Sequence, residues 1–247
     1  MHRRRPNRLF EQLGGVLQPD PGMIRAVPVM TPSAVLHIID QARRQEARSG
    51  TFLEQMDERA ASLPDSIVVS GPNPATCLFQ FAVEYIEMAP RLIDCVETCA
   101  RDSGHVALFR PFIESAIRYF TRPSPLLARY DGLDGLLIKA YLCHRLMEEM
   151  YENNYSTRTS RLVELEATQA NLLAHHLIGE PFANELDQSI TITVAQIARS
   201  PDYYNLNLNP FVEKARDTAW DWMREYWEKL LTRNQIRFDL NPGLDPC

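Results

Sequence analysis

Apolar residues recur at three- and four-residue intervals along most of the chain, the spacing of one face of an α-helix. Cut by proline- and glycine-bearing links, the pattern predicts helices over residues 31–48, 51–62, 75–104, 106–121, 133–153, 158–178, 182–199 and 209–234. Pro32 fits the opening turn of the first, and Gly50 ends it. Pro90 lies inside the third, where it removes a backbone donor and should kink the helix. The 182–199 helix carries a β-branched run, "SITITV", inside a helical pattern. "SIVVS", between the second and third helices, reads as one short strand with no second strand to pair with.

Short links between helices imply antiparallel neighbours. The expected fold is therefore all-α: a multi-helix bundle over 31–238, a loosely structured N-terminal segment over 1–30 and a tail over 239–247. A short helix near 7–13 is the one regular element expected in the first segment.

Composition narrows the classes of function. The chain has 247 residues, a net charge of −6 and a pI near 5.6, which disfavours broad nucleic-acid binding. "MHRRRPNR" is basic, and reads as a solvated terminus rather than as an arm for nucleic acid or lipid. No run of about eighteen apolar residues occurs, so no membrane span is expected. Five cysteines without a CxxC pair argue against a disulfide framework and fit a reducing, cytoplasmic setting. Phosphate-loop, dinucleotide and serine-hydrolase fingerprints are all missing.

Turned through about 100° per residue, the helices place some polar side chains on apolar faces. Over 133–153, His144 falls within the stripe of Leu133, Leu136, Leu137, Ala140, Cys143, Met147 and Tyr151; Glu148 sits at its border. Glu149 and Glu152 should be solvated. Over 158–178, a stripe of Leu162, Leu165, Leu172, Leu173 and Leu177 takes in Glu166, Gln169 and His176, while His175 points elsewhere. On the third helix, Glu84 edges a face made by Cys77, Phe81, Met88, Leu92, Cys95 and Cys99, and Glu87 turns away as a solvated charge. Acids and imidazoles facing inward must pair or bind something. Glu84, His144, Glu148, Glu166 and His176 are the candidate ligands of a non-haem metal such as iron. The Glu-x-x-His spacing of di-iron bundles is missing, however, and Glu114 should be exposed. Cys95 and Cys99 read as core packing rather than as a soft-metal pair.

The last helix carries all three tryptophans. Val212, Ala219, Trp220, Met223, Trp227 and Leu230 form its inward stripe; Trp222 falls outside it, with Tyr226 between. Exposed tryptophan and tyrosine are the usual anchors of protein interfaces. Either the chain's own "PDYYNLNLNP" or tail covers them, or a protein partner or second copy does. Two functions follow. The first is a binding or regulatory protein acting through Trp222 and Tyr226. The alternative is a non-haem, di-iron-like oxidoreductase with its site inside the bundle.

Overall fold

The longest of the described helices sits at the centre of the fold. In the computed structural model, which describes residues 32–121, 127–160, 165–198, 202–216 and 220–239, it runs from Pro74 to Asp102. Pro74 occupies its opening position, and the Asn73 side chain accepts from Thr76 N–H at 3.0 Å. Phe81, Ala82, Tyr85, Ile86, Met88 and Ala89 are all fully buried, so this helix is apolar nearly all round and sits at the centre. The helix continues through Pro90, itself buried.

Around it lie α1 (Pro32–Ser49), α2 (Thr51–Ala60), then β1 (Ile67–Val69), with the central helix as α3. α4 (Val106–Thr121) and α5 (Gly132–Glu152) follow, and α5 packs on α1, α3 and α4. The chain goes on through α6 (Tyr155–Thr159), α7 (Leu165–Ile178), α8 (Phe182–Ala198), α9 (Asp202–Asn205), α10 (Asn209–Lys214), α11 (Trp220–Arg233) and β2 (Ile236–Phe238). α7 packs against α5, α8 and α11. The fold is the expected all-α bundle, and among the described residues no helix is long and apolar enough to cross a membrane.

Four departures from the sequence expectation stand out. β1 has a partner: it pairs antiparallel with β2, Val68 opposite Arg237, tying the link after α2 to the end of α11. "NNYSTRTS" holds a short helix, α6, because Asn154 caps it by accepting from Ser156 and Thr157 N–H at 2.9 and 3.2 Å. The stretch expected as one helix over 209–234 contains two described helices, α10 and α11. The buried face of α7 is rotated by about a third of a turn from the leucine stripe (at ~100° per residue). Ala167, Ala170, Asn171, Leu173, Ala174 and Leu177 face in, whereas Leu172 is 46% exposed. The expected helix near 7–13, the irregular segment 1–30 and all of the tail beyond Asp239 lie outside the described residues, as do Leu162 and the side chain of Leu165.

Candidate functional site

Two places collect the residues singled out by sequence. The first lies where α5, α7 and α8 meet. Arg145 on α5 reaches along its own helix to Glu148 and to Glu149, the latter at 3.1 Å, and across to Asp187 on α8 at 3.0 Å. Residues three and four apart on a helix are neighbours, so one guanidinium serves both glutamates. Glu148 also accepts from the Thr168 hydroxyl at 2.8 Å and from Asn171 Nδ2 at 2.7 Å, both on α7. Asn171 Oδ1 in turn accepts from the Tyr85 hydroxyl at 2.7 Å. Asp187 accepts from the Tyr141 hydroxyl at 2.6 Å, and His175 Nε2 lies 3.6 Å from its other oxygen.

His144 stands one position from this hub but takes no part in it. It is buried, stacks on Tyr85, and its Nε2 faces the Tyr85 carbonyl at 3.1 Å. A carbonyl only accepts, so Nε2 carries the proton. Burial pushes the His144 pKa down to about 4, and the same burial, with neighbouring acids, raises Tyr85 and Tyr141. For Arg145 burial alone would favour the neutral form, but Glu148 and Asp187 outweigh it and hold the guanidinium charged.

These contacts fix what the five candidate ligands do. His144 binds a carbonyl and Glu148 is held by Arg145, Thr168 and Asn171. Glu84 faces α11, where Arg233 pairs with it at 3.2 Å. Glu166 and His176 are only half-buried, because α7 turns its alanine face inward. The five are therefore not brought together. Among the described residues no group of three or more His, Cys, Asp or Glu side chains is placed to hold a metal ion. Cys95 and Cys99 are buried free thiols.

Sequence reasoning missed several members of the network. Arg145 was legible as the i,i+3 and i,i+4 partner of Glu148 and Glu149, which is why Glu149 is mostly covered rather than solvated. Asp187 and Asn171 carried no such local signal, since both are placed by contacts between helices. His175, expected to point away, lines this cleft, with Nε2 donating to Asn184 Oδ1 at 3.0 Å. Glu87 is also not simply solvated: it is half-buried and pairs with Arg43 of α1. Glu114 is exposed, as expected.

The second place is a groove of about 550 Å³ between α1, α3 and α11. Leu36 of α1, Pro90, Asp94, Cys95 and Thr98 of α3, and Met223 of α11 line it. Trp222 forms its rim, 42% exposed, with the Arg91 guanidinium 5.0 Å from its ring centroid. Leu36 is 46% exposed on the same groove. Beyond Trp222 lies a smaller, polar depression of about 210 Å³, bordered by Glu225, Tyr226, Lys229 and Arg233. Trp222 is thus a ridge between two hollows. Tyr226 leans against it at 5.3 Å between centroids, half-buried, its hydroxyl 3.4 Å from the Glu84 carbonyl. Burial, with Glu84 beside it, pushes the Tyr226 pKa up to about 12.

The aromatic link does not cover this ridge. Tyr203 and Leu206 offer their carbonyls to Asn154, and Tyr204 stacks under Arg158, all on the α6 side. No family model matches this chain, and no curated protein or solved structure matches it significantly.

Proposed function

We propose that the protein is a binding protein, without catalysis of its own, that receives an apolar segment of a protein partner in the α1–α3–α11 groove. One observation carries this reading: Trp222 and Leu36, two large apolar side chains, stand exposed on either side of a single groove. Large apolar groups seldom cluster on a surface unless something covers them, and tryptophan is the commonest anchor of such contacts. Arg91 and Asp94 supply the polar rim that would set direction and partner choice.

The oxidoreductase alternative requires Glu84, His144, Glu148, Glu166 and His176 to converge, whereas Glu84 pairs with Arg233, His144 with a backbone carbonyl and Glu148 with Thr168 and Asn171. No observation favours it. Elemental analysis of the purified protein should find no stoichiometric iron, manganese or zinc.

The docking reading is tested with a photo-crosslinking residue placed at Leu36 in cells. The expected result is one discrete intermolecular adduct with a protein other than this chain, lost when Trp222 is replaced by alanine. A ladder of random adducts, or an adduct indifferent to Trp222, would sink it.

A further inference from the structure

We infer that Cys95 and Cys99, one turn apart on α3, form with the Met223 thioether a sulfur site for a single copper(I) ion at the wall of the α1–α3–α11 groove. The inference stands apart from the docking reading, because it concerns an ion and not a protein partner.

Spacing comes first. Residues four apart on a helix bring their Cβ atoms to about 5–6 Å, whereas a disulfide needs about 3.8 Å. The pair is therefore too wide for an S–S bond within the helix. An ion between the sulfurs makes up the difference, since two metal–sulfur bonds of about 2.3 Å each replace one bond of about 2 Å. The thiols are close enough to act on each other: Cys99 pushes the Cys95 pKa up, and Cys95 draws that of Cys99 down. Both are buried, and Cys95 borders the groove together with Met223, which gives an ion its way in.

Tyr151 supplies a second, independent observation. It is only 2% exposed, and its hydroxyl has no hydrogen-bond partner among the described residues. Burial, then Cys95 and Cys99, push its pKa up, so its oxygen lies near both sulfurs. A buried O–H without an acceptor is costly, and a neutral thiol is a weak acceptor. Copper(I) binds thiolates and so releases their protons. A thiolate accepts strongly, and the Tyr151 hydroxyl then donates to it, the outer contact that orients a metal ligand. The donor set also selects the ion. Two thiolates and a thioether suit soft copper(I), which two or three sulfurs satisfy. Zinc takes four ligands, and among the described residues no three His, Cys, Asp or Glu side chains gather to supply them.

Anaerobic titration of the full chain with copper(I), in competition with the chromophoric chelator bicinchoninate, tests this. A Cys247→Ser background removes the thiol that lies outside the described residues. One ion should bind per chain, more tightly as pH rises, because the thiols must give up protons. Cys95→Ser and Cys99→Ser should each weaken binding by more than about 100-fold, and Met223→Leu and Tyr151→Phe by about tenfold. Cys77→Ser and Cys143→Ser should change nothing. X-ray absorption on the copper-loaded chain with Cys95 and Cys99 in place should show two or three sulfur neighbours and no nitrogen or oxygen. That readout does not depend on how the serine variants fold. Failure to hold one ion against the chelator overturns the inference. So does full affinity in Cys95→Ser or Cys99→Ser, or an ion lost with Cys77 or Cys143. Nitrogen or oxygen in the copper shell, or an affinity indifferent to both Met223 and Tyr151, overturns it equally.

Discussion

His144 donates its Nε2 proton to the Tyr85 carbonyl at 3.1 Å while its ring stacks on the Tyr85 ring at 4.2 Å between centroids. A neutral imidazole satisfies that geometry, and a buried imidazolium would lack a partner for its second proton and its charge. The folded pKa is accordingly low, near 4, against 6.5 for a free histidine. The unfolded chain therefore binds the extra proton first. The stability His144 contributes is complete above the unfolded pKa and drains away as pH falls from about 6.5 toward 4. Between pH 7 and 5 this should remove about 2 kcal/mol. Urea midpoints measured at both pH values should show the loss in the natural protein and a flatter profile in His144→Gln. An unchanged pH slope in that variant would show that His144 is not the group responsible.

Arg145 offsets two glutamates and one aspartate at once, and Glu148 is only 3% exposed. Removing the guanidinium strands a buried carboxylate, so Arg145→Met should cost about 3–5 kcal/mol by urea unfolding. Glu148→Gln keeps an acceptor for Thr168 or Asn171 and removes the charge. The double variant should lose less than the sum of the two single losses by more than about 1 kcal/mol. Strict additivity would mean that the ion pair adds no coupling and that the hydrogen bonds alone matter.

That hub also marks how far the sequence could be read. The inward placement of His144 and Glu148 followed from helix periodicity on α5, where Leu136, Ala140, Cys143 and Met147 set a clear stripe. The same method misplaced α7, because its true inner face is written in Ala167, Ala170 and Ala174, which carry little hydrophobic signal but let helices approach closely. Trp222 was read correctly as outward for the opposite reason: Trp220, Met223, Trp227 and Leu230 leave no doubt which side of α11 is buried. Pairings between distant parts were beyond reach. β1 finds β2 near the other end of the chain, and Asp187 meets Arg145 only because α8 packs on α5. Periodicity fixes rotation about a helix axis and says nothing of the stagger that decides which polar groups meet.

Gly135, in the first turn of α5, is a position where helix propensity predicts the wrong sign. Alanine is favoured over glycine by about 1 kcal/mol inside a helix. A Cβ at this position, however, would lie 2.6 Å from the Tyr130 carbonyl oxygen and 3.2 Å from its carbon, both backbone atoms of the link before the helix. Backbone yields less readily than a side chain, so the clash should win. Gly135→Ala is expected to lower stability by about 1–3 kcal/mol in thermal or urea unfolding. A stabilised variant would show that the link before α5 shifts without cost.

Trp220 and Trp222 are two residues apart on α11 and should behave as opposites. Trp220 is fully buried, edge-on to Tyr151 at 5.4 Å and 6.1 Å from Trp227. Trp220→Ala empties a core position and should cost about 3–5 kcal/mol. Trp222 touches Arg91 and Tyr226 but is 42% exposed, so Trp222→Ala should cost under about 1 kcal/mol. The comparison separates a packing role from a docking role. A stability loss at Trp222 as large as that at Trp220 would make the residue part of the core and take the anchor away from the groove. A small loss, together with disappearance of the Leu36 crosslink, is the outcome that a surface kept for binding requires.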